Sequence, residues 1–343
     1  MDNLASSGVW AVWVLMGVGL VAWVLTGGAD YGGGLWDLLA SGPRKEAQRS
    51  LIAEAIAPIW EANHVWIIFL VVMMFSVFPR AFFVVSVALH IPLVLALFGM
   101  VLRGAAFTFR AYGLQPDAVG HRWGRVFAWS SALTPVFLGM ALGAMSTGDL
   151  RHVNGLVTSG FLAGWTSPFS FTVGLFALAL FALLAAVYLT ADAASAELAE
   201  DFRGRALAAE LVAGVLAALV AWRASVDAPA LWAALAGSSW TWPVQLGTAA
   251  AAIAVLAALV TRRFALARFA VAAQVGLVVL GWGLAMDGFI VRPDVHVTAA
   301  GTRPEMMGPL MVAVSIGLAV LLPSLWLLFR VFKRSKTADD TTH

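Results

Sequence analysis

The residues with most chemistry to offer lie in one short run, Ala57-Pro58-Ile59-Trp60-Glu61-Ala62-Asn63-His64-Val65-Trp66, which opens a long apolar stretch. Ionisable groups are costly inside such stretches and are functional candidates for that reason. Pro58 suits a first helical turn, where its missing N–H costs little. A helix running through this segment places Glu61 one turn from His64 and two turns from Glu54, so that all three can share a face. Two carboxylates and an imidazole in line are what a proton entry path from a membrane surface needs. The plainer reading is that Glu61 and His64 pair in a polar corner at that surface, and spacing alone leaves both open.

Three further sites call for the same weighing. Asp30, in Thr26-Gly27-Gly28-Ala29-Asp30-Tyr31-Gly32-Gly33-Gly34, is expected to end the first apolar helix. A carboxylate there either binds a ligand or satisfies loose backbone N–H groups. His90, just before Pro92, is expected mid-span, as a haem or metal ligand or, more simply, as a hydrogen-bonded core histidine. Arg103 and Arg110 stand about two turns apart. They either mark a cytoplasmic helix end or anchor acidic groups of a partner or lipid headgroups. The remaining histidines, His121, His152, His296 and His343, fall in loops or the tail, and neither H-E-x-x-H nor G-x-x-x-x-G-K-[ST] occurs. With no cysteine in the chain, disulfides, thiolate metal sites and covalently attached c-type haem are excluded. No complete metal or cofactor site is visible.

The elements that must position these groups are set by composition. Of 343 residues, 61% are hydrophobic and 12% charged, against roughly 45–50% and about 25% in soluble domains. A soluble enzyme is excluded. The net charge is +2, and the basic residues punctuate apolar runs instead of gathering on one face, which argues against nucleic-acid binding. Windows of about 19 residues predict an all-α polytopic membrane protein with about nine transmembrane helices, at roughly 9–28, 56–78, 82–102, 126–146, 168–190, 206–224, 244–260, 264–286 and 308–330. The seventh is short. No loop is long enough for a separate domain, so residues 1–343 are expected to form a single integral-membrane domain. Beta-barrel spans would be shorter and alternate apolar with polar residues.

Nine helices divide the 21 Lys and Arg unevenly. Arg80, Arg151, Arg223, Arg292 and Arg303 fall on one side and the other sixteen on the opposite side, including the tail Lys333-Arg334-Ser335-Lys336. Because basic flanks stay in the cytoplasm, the N-terminus is expected outside and the C-terminus inside. MDNLASSG has no Lys or Arg and no small-residue cleavage site, so the first helix is expected to be retained. Many of the 15 Trp lie near predicted helix ends, as an interfacial aromatic belt does. Gly139 and Gly143 fit G-x-x-x-G, which lets helix backbones approach closely.

Taken together, the motifs resemble subunit II of the cytochrome bd-type quinol oxidases, including the cyanide-insensitive branch. Three pieces carry the resemblance: Gly28-Ala29-Asp30-Tyr31-Gly32-Gly33-Gly34, the segment Ile56 to Trp66, and Leu102-Arg103-Gly104-Ala105-Ala106-Phe107-Thr108-Phe109-Arg110. Leu321 to Phe332 looks like the family's closing helix. The resemblance implies a bacterial inner-membrane complex that oxidises quinol and reduces dioxygen to water. It places the haems and the quinol-oxidation loop in subunit I. This chain would be the partner that ligates no haem, in a heterodimer to which a small single-helix accessory subunit can be added. A quinone or lipid could lie in an apolar groove, which needs few polar groups. Nucleic acid is not an expected partner.

Carried over by position, the resemblance makes Glu61 the acid of a cytoplasmic proton pathway that also takes in His64, Glu54 and Asp30. Trp60, Asn63, Trp66, Arg103 and Arg110 support it. The chain departs from the common pattern where Asp often replaces Glu61, Gln replaces His64, and an additional acid stands at Gly27. Glu61 is still protonatable, whereas Gly27 can carry no acidic role. The alternative class is an ion-coupled secondary transporter using Glu61 and Asp30. That class shows paired broken helices, which are not evident here. A purely structural subunit is the third reading.

Overall fold

The computed structural model describes residues 2–56, 60–112, 118–301 and 304–339, with side chains placed over 7–56, 63–109, 122–301 and 305–327. Thirteen helices appear among them: α1 (Asp2–Leu38), α2 (Lys45–Ile56), α3 (Trp60–Val77), α4 (Pro79–Ala88), α5 (His90–Tyr112), α6 (Ala118–Thr147), α7 (Pro168–Asp192), α8 (Ala196–Asp227), α9 (Pro229–Gly237), α10 (Thr241–Val260), α11 (Phe264–Ala285), α12 (Val297–Ala300) and α13 (Pro304–Asp339). Eight are long and apolar enough to cross a membrane, and counting the bent pair α3–α4 as a span brings the number to nine. The expected class and helix number hold among the described residues.

The bundle is organised around α7. Its sequence is apolar on every side, the pattern of a helix buried all round, and every residue from Leu180 to Val187 is buried. Helices α1, α6, α8 and α11 pack against it. Ser167 caps its start by accepting from the Ser170 amide at 3.1 Å, and Pro168 occupies the first turn. The G-x-x-x-G pair does what its spacing implies: a Cβ on Gly139 would lie 2.7 Å from Gly174 Cα, and one on Gly143 2.7 Å from Ser170 Cα. These two positions let α6 press on α7 backbone to backbone.

Several expected boundaries are corrected. α1 continues ten residues past the expected end at 28, because its Gly-rich segment is held helical by close packing. A Cβ on Gly32 would stand 1.9 Å from Phe181 O, and one on Gly34 2.3 Å from Ser131. Asp30 is therefore inside a helix and not at its end. The chain breaks at Phe78, where Pro79 opens α4 at 116° to α3, so the third span starts at His90 and not at 82. Pro92 falls in the first turn of α5, where no N–H is needed. His90 is accordingly exposed at a helix start, with Nδ1 2.9 Å from Val87 O. It is neither mid-span nor a core histidine.

Glu54 belongs to α2, an amphipathic helix that buries Leu51, Ile52 and Ile56. There it is exposed and accepts from Ser50 Oγ at 2.8 Å, and the segment that joins it to Glu61 lies outside the described residues. The sixth span is longer than 206–224, since Ser195 caps α8 by accepting from the Leu198 amide at 3.2 Å.

Two small hairpins supplement the helices at the opposite end from α2: β1 (His152–Val153) with β2 (Leu156–Val157), and β3 (Phe289–Val291) with β4 (Val295–His296). Asn154-Gly155 makes the first turn with both φ positive, 49° and 81°, the usual hairpin chemistry. Asp294 joins the hairpins by accepting from the His152 amide at 2.8 Å and from Arg151 Nε at 2.9 Å. Burial works against the Asp294 charge, but these two donors hold its carboxyl below the usual range.

Candidate functional site

Asp30 of α1, Asn63 of α3 and Arg103 of α5 meet in the interior, although 73 residues separate the first from the last. Arg103 Nη2 donates to Asp30 Oδ1, and the two side chains are only 3% and 4% exposed. Arg103 Nε donates to Ser131 Oγ of α6 at 3.0 Å. Asn63 Nδ2 donates to Thr26 O at 3.3 Å and lies 3.5 Å from Asp30 Oδ2. The Arg103 guanidinium also sits over the Tyr31 ring at 4.7 Å and the Phe127 ring at 5.1 Å, where the aromatic quadrupoles favour a cation.

Each element brings its group for a local reason. Gly34, which lacks a Cβ, lets α1 approach α6 closely enough for Arg103 to reach Ser131 and Asp30 together. Ser131 is fixed by donating its own hydroxyl to Phe127 O at 2.7 Å, which leaves its lone pairs toward Arg103. The acid that Arg103 binds is thus Asp30 of the same chain and not a partner's acid or a lipid headgroup. Ser131→Ala removes a hydrogen bond to a buried charge and should cost about 1.5–3 kcal/mol, read as a lowered unfolding midpoint of the purified chain or complex.

Around this pair the structure places the other predicted residues unevenly. Glu61 and Trp60 fall in the first turn of α3, and their side chains lie outside the described residues, as does that of Arg110. Pro58 and its two neighbours lie outside them altogether. His64 and Trp66 are half-buried on α3, with Trp66 packed on the main core. Glu54 is apart on α2. Tyr31, Phe127 and Ser131 were not among the expected site residues. Tyr31 adjoins Asp30 in its motif, whereas nothing in Ser130-Ser131 marks a partner for an arginine.

A small cleft of ≈ 70 Å³ reaches Asp30 from the end of the molecule that carries α2. Its polar lining comes from Thr26, Asp30, Tyr188, Asp192 and Arg268, with Arg268 donating to Asp192 at 2.9 Å at the surface. It has room for a few water molecules. Among the described residues no group of three or more His, Asp or Glu is arranged to hold a metal ion.

Comparison with known proteins agrees with this architecture. The family model for cytochrome bd terminal oxidase subunit II matches residues 9–332. The cytochrome bd-I ubiquinol oxidase subunit 2 of Escherichia coli K12 is 24% identical over 184 residues, or 52% of this chain and 47% of that protein. The chain thus matches about half the length of this relative. A Bacillus subtilis protein, named provisionally as a cytochrome bd menaquinol oxidase subunit II, is 23% identical over 319 residues and 90% of each chain. A chain of the solved bd oxidase from Geobacillus thermodenitrificans has the same fold, with a TM-score of 0.77 and 22% identity over 96% of this chain and 98% of its own.

Proposed function

Since the chain belongs to the cytochrome bd terminal oxidase subunit II family, a family of multi-pass bacterial inner-membrane proteins, we propose that it is the partner without haem ligands of a haem-bearing subunit I. The complex would oxidise quinol and reduce dioxygen to water. This chain would line part of the proton supply from the cytoplasm, with Glu61 as the titrating group and His64 beside it. One observation carries the reading: the three segments on which the resemblance rests meet at Asp30, Asn63 and Arg103. Asn63 holds the head of α3 against α1 through Thr26 and Asp30, and Glu61 lies in that head.

Orientation supports the same role. The head of α3 is on the side that receives sixteen of the 21 Lys and Arg, which the positive-inside rule makes cytoplasmic. The C-terminal tail shares that side. Reducing dioxygen to water consumes protons, and an apolar wall is crossed only through protonatable groups or ordered water. The cleft between Asp192 and Asp30 leads inward from that side. Arg103 occupies one Asp30 oxygen, so in this scheme Asp30 holds α3 in place while Glu61 takes up and releases the proton. The transporter alternative gains no support, since α3–α4 is the only broken candidate span among the described residues.

In this reading no histidine of the chain ligates a haem. His90 has Nδ1 at Val87 O and its ring edge-on to Phe161 at 5.3 Å. Expressed alone, the chain should show no stoichiometric haem absorption, while its affinity-purified complex should carry haem in a co-purifying subunit. A haem spectrum from the isolated chain would overturn the assignment.

A further inference from the structure

Glu210 and Gln274 form a polar pair that the site above does not use. Glu210 is fourteen residues into α8 and Gln274 ten into α11, about 21 Å and 15 Å along their axes. Both are thus mid-span. The residues are 5% and 6% exposed, and the core around them is built from Phe202, Ala206, Ala213, Val271 and Val275. Gln274 Nε2 donates to Glu210 Oε1 at 2.8 Å. The other two oxygens, Glu210 Oε2 and Gln274 Oε1, are buried without any hydrogen-bond partner.

As a carboxylate beside an amide, the pair has more acceptors than donors, and a charge in an apolar interior with one neutral partner. Neither condition is normally tolerated. Among the described residues no cation compensates it. On α8, Arg203 bonds Glu200, Arg205 bonds Gln48, and Arg223 bonds Asp227. On α11, Arg268 bonds Asp192 of α7 and lies over the Tyr188 ring. α9 and α10 carry no charged residue, and the acids of α1 with described side chains are Asp30, paired with Arg103, and Asp37, beside Arg49.

We infer that Glu210 is a proton-binding site inside the membrane, held as the uncharged acid with its Oε2–H donating to Gln274 Oε1. One proton turns one orphan acceptor into a donor and satisfies the other. The result is a two-bond acid–amide ring tying α8 to α11. The inference rests on hydrogen-bond complementarity and not on the role proposed for Glu61.

Infrared spectroscopy of the purified, assembled complex tests it. Replacing Glu210 by Gln, which preserves an amide ring, should abolish one protonated-carboxyl C=O band that persists in the unsubstituted complex across the neutral pH range. Loss of carboxylate bands in its place would show that Glu210 is charged and would overturn the inference. Should Glu210→Gln fail to assemble, Gln274→Leu serves. Removing the acid's partner should shift one acid C=O band to higher frequency, and an unchanged acid region would contradict the pairing.

Discussion

Replacing Arg103 by Met is expected to destabilise the folded chain by about 3–5 kcal/mol, the cost of removing one member of a buried ion pair. The loss has an identifiable origin. The Asp30 carboxylate, 4% exposed, would keep only the long contact from Asn63 at 3.5 Å. The Ser131 hydroxyl would lose its donor, and the Tyr31 and Phe127 rings their cation. Asp30→Asn should be damaging for the opposite reason, because it leaves a guanidinium buried without a carboxylate. The double variant Asp30→Asn, Arg103→Met removes both charges and should fall well short of the summed single effects, as contacting groups do. Thermal unfolding of the detergent-purified complex, with the yield of membrane-inserted chain, measures all three. If Arg103→Met unfolds at the original temperature, the pair carries no structural weight.

Gly32→Ala should be comparably severe, at about 3 kcal/mol or more, near the upper end of the range for overpacking. The new methyl would stand 1.9 Å from Phe181 O and 2.4 Å from Phe181 C. The obstacle is backbone of the central helix, which no rotamer change can relieve, so α1 and α7 must separate. That separation would also loosen the Asp30 cluster one residue-pair away. Gly17→Ala in the same helix has nothing within 4 Å of the added carbon and should be nearly neutral. Equal unfolding midpoints for the two variants would contradict the close packing of α1 on α7.

The membrane class, the helix number and the three motif segments were legible because they depend on local composition and order. Contacts between segments were not. Nothing in one sequence says that the guanidinium at 103 meets the carboxylate at 30, since each is equally at home near a helix end. The break itself was legible, since the apolar windows end one span at 78 and begin the next at 82. They do not show that Pro79–Ala88 forms a separate short helix, α4, so His90 was placed mid-span when it stands at the start of α5. The alignment of Glu54 with Glu61 rests on helical periodicity through Ala57-Pro58-Ile59, which lie outside the described residues. Glu210 is a different case: a lone carboxylate in the expected 206–224 span is a visible signal, but its amide partner lies 64 residues away.

The role of Glu61 is tested most directly by oxygen consumption with excess quinol in complexes carrying Glu61→Gln or Glu61→Asp, each normalised to haem content. Gln keeps the shape and removes the titration. Turnover of that variant should fall by at least about tenfold, as when a proton-transfer group is lost, with haem content unchanged. Asp keeps a protonatable carboxyl one methylene shorter, so it should retain most of the rate and move the pH profile. A fully assembled Glu61→Gln complex that turns over at the original rate across the neutral pH range would contradict the account and leave this chain as structural support alone.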